Sequence, residues 1–211
     1  MIWLEVLVEG ESDLPVIKEV LVRKFQLEEN IHFRMHPHRG KGKLPKNPLS
    51  KPDLKHRGLL DQLPAKLRGF GKALSPTDWV LVVVDVDDQS PNFFLNELNL
   101  MLLSLPVKPN VLFRLAIEET ESWLIADIEA IKSAYANKAN TRSLVNIKPD
   151  AIVGAWEKLA ISLGMEPNMV AGKTKFEWAT NIAPHLNLDA PASPSFKLLI
   201  DGIDNIVNTP P

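Results

Sequence analysis

Apolar and polar positions alternate between two patterns along the first part of the chain. Ile2 to Val8 is a short, nearly continuous apolar run and predicts a buried strand. Gly10-Glu11-Ser12-Asp13 follows as turn chemistry, with Ser12 or Asp13 placed to cap a helix and Pro15 suited to its first turn. Leu14, Ile17, Val20, Leu21 and Phe25 then recur at helical spacing, so an amphipathic helix is expected over 13–25. A second strand is expected at 31–35 and a helix at 58–74. Trp79-Val80-Leu81-Val82-Val83-Val84 is β-branched almost throughout, as in a strand buried on both faces of a parallel sheet. A helix at 92–104, a strand at 111–117 and a helix at 121–131 continue the alternation. The order predicts an α/β fold: a mostly parallel sheet flanked by helices. Beyond residue 137 only helical patterns remain, near 151–163, 175–186 and 196–207, separated by Pro149, Pro167 and Pro191. The expected division is an α/β domain over 1–136 and a helical C-terminal extension over 137–211, packed on it.

Composition narrows the chemistry. With 211 residues, 45% of them hydrophobic, the chain can bury a full core. It has no cysteine, so any metal must be held by oxygen or imidazole. The N-terminal apolar run carries Glu5 and Glu9 and has no basic start, which argues against a signal peptide, and no apolar run could span a bilayer. A soluble, cytoplasmic protein is expected, with no membrane partner.

The net charge of −2 conceals segregation. From Arg34 to Lys72 the basic residues include Arg39, Lys41, Lys43, Lys55 and Arg57, against only Asp53 and Asp61. From Asp85 to Glu129 the balance reverses. The stretch 36–57, rich in proline, glycine and lysine, reads as an exposed loop fit to hold a polyanion, or as plain lysine-rich surface.

In open α/β sheets ligands gather at the carboxyl ends of the strands. Glu9 follows the first strand, Asp85 and Asp87 the third, and Glu119 and Glu121 the fourth. Carboxylates converging there repel one another unless a cation lies between them, and hard oxygen donors suit Mg²⁺ or Mn²⁺. The i, i+2 spacing of Asp85 and Asp87 in an extended strand would point both to one side. Any one of these acids could equally be a turn or cap residue, and Asp88, Glu118 and Asp127 are set aside as such.

Glu9-Gly10-Glu11-Ser12-Asp13 followed by Asp85-Val86-Asp87 resembles the Toprim signature shared by topoisomerases, bacterial primases and overcoming-lysogenization-defect nucleases. Arg114 to Asp127, with Glu119-Thr120-Glu121-Ser122-Trp123-Leu124 at its centre, is similar to a block of a Toprim-related bacterial family of uncharacterised function. Ser193-Pro194-Ser195-Phe196 and the Arg39-Gly40-Lys41 region are similar to that family too. The resemblance implies a Toprim-like, Rossmann-like fold. It implies Glu9 as general acid, base or metal ligand, Asp85 and Asp87 as metal ligands, and Glu119 and Glu121 as the later acidic pair. It implies Mg²⁺-dependent processing of DNA or RNA, with Glu9, Asp85, Asp87 and Glu121 catalytic, in phage defence and beside a companion ATPase. Arg39, Lys41, Lys43 and Arg57 would hold the nucleic-acid backbone. The rival readings are a non-catalytic nucleic-acid or ATPase-partner binding module with a metal-stabilised acidic site, and nucleotidyl transfer to a small molecule.

Three further features are expected to be inert. Gly172-Lys173-Thr174 lacks the earlier glycine and preceding strand of a phosphate-binding loop. His36-Pro37-His38 reads as surface, and Trp123, Trp156 and Trp178 read as core.

Overall fold

The computed structural model describes residues 2–208 apart from positions 54 and 88, so Asp88 lies outside the described residues. Four parallel strands, β1 (Leu4–Val8), β2 (Phe33–Pro37), β3 (Trp79–Asp85) and β4 (Asn110–Ala116), form one sheet in the order β2-β1-β3-β4. Alternation along the central strands explains why both are apolar apart from Glu5 in β1 and Asp85 at the end of β3. Leu4, Val6 and Val8 with Leu81 and Val83 enter one core, while Leu7 with Val80, Val82 and Val84 enters a second core on the opposite face.

Helices cover both faces. The second core is closed by α2 (Leu59–Ala73) and α3 (Pro91–Leu103), through Leu59, Leu63, Leu67, Phe94 and Leu98. On the other face lie α1 (Leu14–Glu19), which runs on as a wider turn over Val20–Lys24, then α4 (Glu121–Ile125), α5 (Ile128–Tyr135), α6 (Ala155–Ser162), α7 (Gly172–Ile182) and α8 (Pro194–Val207). The C-terminal helices place Leu159, Trp178 and Leu199 in the same core as Leu4 and Ile17, so this face of the sheet is covered largely from the end of the chain. Among the described residues no helix is long and apolar enough to cross a membrane.

Two boundaries depart from the pattern reading for identifiable reasons. The second strand starts at Phe33, because Glu28 to His32 form a turn in which Asn30 takes a left-handed backbone (φ 65°) and Ile31 is exposed. It runs through Pro37, which an edge strand tolerates. The helix expected over 121–131 is two helices, because Asp127 leaves helical geometry and accepts from Ala130 N at 3.0 Å, capping α5.

Candidate active site

Strand order reverses between β1 and β3, the place where open parallel sheets gather ligands at the carboxyl ends of their strands. Glu9, just past β1, reaches across it: its Oε1 accepts from the backbone N of Asp85 at 2.8 Å. Asp85 ends β3, and among the described residues its carboxylate receives no hydrogen bond. Burial, then the charges of Asp13 and Glu9, hold its pKa well above the ordinary aspartate range. Burial likewise pushes Glu9 up to about 8, against the hydrogen bond from Asp85 and with Asp13 adding to the rise.

Asp87 stands apart from Asp85. The extended geometry expected to align them stops at Asp85; Asp87 has a left-handed backbone (φ 52°) and an exposed side chain. Its Oδ2 accepts from Lys41 Nζ at 2.8 Å, and the same ammonium donates to Val86 O at 3.1 Å and lies 4.7 Å from the centre of the Phe94 ring. Lys41, expected to contact a nucleic-acid backbone, therefore faces inward, with 14% of its side chain exposed, and pairs with Asp87.

The acids after β4 divide by role. Glu118, also left-handed (φ 65°), accepts from Gly154 N at 2.5 Å and Ala155 N at 3.1 Å, and so caps the start of α6. Glu119 accepts from Trp156 N through Oε1 at 2.8 Å and from Lys175 Nζ through Oε2 at 2.9 Å. Glu121, almost wholly buried, lies 3.3 Å from the same ammonium, which also sits 5.1 Å from the centre of the Trp156 ring. Burial and then Glu121 push Glu119 up to about 7, and burial raises Glu121 despite Lys175. Burial opposes the charge on Lys175, but Glu121 and Glu119 outweigh it and its pKa rises.

Two members of the site escape sequence reasoning. Asp13 is buried beneath it, with Oδ1 accepting from the Thr120 hydroxyl at 2.8 Å and Oδ2 from Gly10 N at 2.9 Å. Its capping role hid its place in the cluster. Lys175 occupies the stripe of α7 shared by Trp178, Ala179 and Ile182, so a lysine at a core-facing position was the available signal.

The donors present are carboxylate oxygens, the type hard cations take. Glu9, Asp85, Asp87, Glu119 and Glu121 with Asp13 face two ammonium groups, and the partly buried Asp85 carboxylate lacks a donor. Among the described residues no three carboxylates or imidazoles are already converged as a ligand set.

The basic loop starts at the same edge. Gly40 N donates to Glu9 O, Arg39 N to Arg57 O, and Leu59 N to Gly40 O, which stitches the loop to β1 and α2. This closure needs glycine at position 42, where φ is 68° and a Cβ would lie 2.3 Å from Asp61 Oδ2. Arg39 and Arg57 are exposed and line a cavity of about 420 Å³ with His38. Lys43, also exposed, lines another of about 590 Å³. The two histidines expected at the surface are engaged instead: His36 Nε2 is 2.5 Å from Glu5 Oε2, and His38 Nδ1 is 2.8 Å from Val8 O.

A parallel, doubly covered sheet with ionisable groups at its switch point defines a Rossmann-like α/β protein. The chain belongs to the family described as a domain of unknown function, DUF4276, which matches residues 8–204. No curated protein and no solved structure matches it.

Proposed function

We propose that this chain is a Toprim-type nuclease that hydrolyses nucleic-acid phosphodiesters with Mg²⁺ or Mn²⁺. The observation that carries the reading is Asp85: a carboxylate without a hydrogen-bond donor, among Glu9, Asp13 and Glu121, at the switch point of the sheet and beside the root of a basic loop. Asp85, with Asp87 at the rim, would hold the ion. When bound, it supplies polarisation of a phosphate oxygen and neutralises charge developing there. Glu9, which reaches across to Asp85, is the group placed to handle a proton as water adds to phosphorus and the P–O bond breaks, with the leaving oxygen taking up that proton. Arg39, Lys43 and Arg57 hold the flanking backbone by charge, without reading sequence. The Toprim resemblance also supports a cytoplasmic role in phage defence beside a companion ATPase.

A second reading, a non-catalytic nucleic-acid or ATPase-partner module, draws on a different observation: Lys41 is paired with Asp87, and Lys175 is shared by Glu119 and Glu121. Incubation of mixed DNA and RNA substrates with the protein and its Asp85→Asn variant, with Mg²⁺, Mn²⁺ or chelator, separates the two. Cleavage that needs both the ion and Asp85 supports the nuclease. Binding without cleavage under every condition supports the module.

A further inference from the structure

His38 stands just past β2, where its backbone N donates to Val8 O at 3.1 Å and Gly40 N donates to Glu9 O at 2.9 Å. Arg39 is thus held between two rungs that tie the basic loop to the end of β1. Its own N donates to Arg57 O at 3.1 Å, which brings the second arginine alongside. Together with Gln62 on α2, whose amide donates to His56 O and Asp53 O, these residues line a cavity of about 420 Å³. The acids of this stretch are engaged elsewhere: Asp53 with Lys55 N and His56, and Asp61 with Lys43 N and Gly58 N. The imidazole sets the cavity apart from a merely basic surface. His38 Nδ1 lies 2.8 Å from Val8 O and so carries the ring proton, which leaves Nε2 as a buried acceptor without a hydrogen-bond partner among the described residues. An acceptor in that state costs stability until a donor meets it.

We propose that this cavity binds a phosphate monoester, the terminal phosphate of a nucleic-acid strand or of a mononucleotide, with Arg39 and Arg57 on its oxygens and His38 Nε2 sharing its proton. Its use as a seat for strand ends beside Glu9 rests on the nuclease reading above; the binding itself does not. The chemistry separates a monoester from passing backbone. A diester is fully deprotonated and offers acceptors alone, which the lone pair of Nε2 cannot use. A monoester loses its second proton only at about pH 6, so it brings a donor to Nε2 while guanidinium groups take its other oxygens through paired, charge-assisted hydrogen bonds. Burial lowers the pKa of His38 against the hydrogen bond to Val8 O, and the neighbouring Lys66 and His36 lower it further, so the imidazole is neutral when the phosphate arrives. Nε2 is shielded from solvent, so seating the phosphate rearranges the side chains around the cavity, of which Arg39 and Arg57 are exposed; rotamer changes of this kind are ordinary at binding surfaces.

The test is fluorescence anisotropy with internally labelled single strands of one sequence, bearing a phosphate at one end, at the other or at neither, in chelator so that binding is read apart from cleavage. A strand phosphorylated at one end should bind at least about tenfold tighter than the hydroxyl-ended strand, and Arg39→Ala and Arg57→Ala should each remove most of that preference. His38→Asn keeps a donor for Val8 O but lacks Nε2. In the unaltered protein the preference should weaken as pH rises from about 6 to about 8, because the shared proton is lost from the free partners, whereas in His38→Asn it should hold or grow as the phosphate gains charge. Thermal melts establish that each variant is folded; if His38→Asn is not, the two arginine variants, both at exposed positions, still decide. An unlabelled nucleoside monophosphate that displaces the phosphorylated strand at matching concentration supports the proposal with mononucleotides as the source, and a strand that resists it supports strand ends. Equal binding of all three strands, or a preference untouched in the folded variants, would overturn the proposal and leave the nuclease reading to the cleavage assay above.

Discussion

The Trp123 indole N–H donates to the hydroxyl of Ser195 at 2.8 Å, and the Phe196 ring stacks on Trp123 with centroids 5.0 Å apart. Ser193 and Ser195 in turn donate to Asp150, with the hydroxyl of Ser195 at 2.9 Å from Oδ1 and its backbone N at 2.5 Å from Oδ2. The Ser-Pro-Ser-Phe segment is therefore the lock that seats α8 on the acidic block. Ser195→Ala leaves a buried indole N–H without its acceptor, a loss of about 1–3 kcal/mol. Thermal melts should show a Tm lower by roughly 3–10 °C, and an unchanged Tm would mean that the lock is not what holds α8.

Stability should fall as pH rises. Glu9 and Glu119, at about 8 and about 7 in the folded protein against an ordinary 4.5, bind more protons folded than unfolded between those values. Their contribution is complete below the unfolded value and is lost as pH climbs through the folded ones. With chelator present, Tm should drop by roughly 5 °C between about pH 5 and about pH 8, and Glu9→Gln should flatten the upper part of that slope. A Tm rising across the window would contradict the electrostatics of the cluster.

Arg39 and Lys43 are exposed cations beside the root of the loop, whereas Lys41 is paired with Asp87. Arg39→Ala with Lys43→Ala should weaken nucleic-acid binding about tenfold and lower the salt slope by about two, with little dependence on sequence. Fluorescence anisotropy over a salt series measures both. An unaltered slope would remove these residues from the interface.

Arg68, on α2, donates to the carbonyls of Pro48 and Ser50 and pins the far end of the basic loop. Arg68→Ala should expose the loop to trypsin at Lys46 while moving the global Tm by less than about 2 °C, since only a surface segment is released. A large fall in Tm would instead make the loop part of the cooperative core.

The sheet was legible because its strands are unambiguous. The run from Trp79 to Val84 has no helical reading, and the alternation of elements allows little besides a parallel arrangement. The proximity of Glu9 and Asp85 was legible for the same reason, since both stand at the carboxyl ends of neighbouring parallel strands. Asp87 was misplaced geometrically because nothing local announces that the backbone turns left-handed one residue past Val86. Lys41 and Lys175 were beyond local reasoning of either kind: a lysine advertises charge, but whether it points outward or inward depends on which acid the fold brings to it. Asp13 was visible but assigned to one task when it performs two, accepting from Gly10 N and also from Thr120 across the fold.

The pairing of Glu119 and Glu121 with Lys175 also orders events in time. A chain emerging from the ribosome has all four strands once Ala116 is out, yet the ammonium that quiets the last acids arrives only with α7, and the cover over Trp123 only with α8. The sheet can thus be assembled while the acids at its edge are still unpaired, and their partners are supplied only by helices that follow all four strands in the chain.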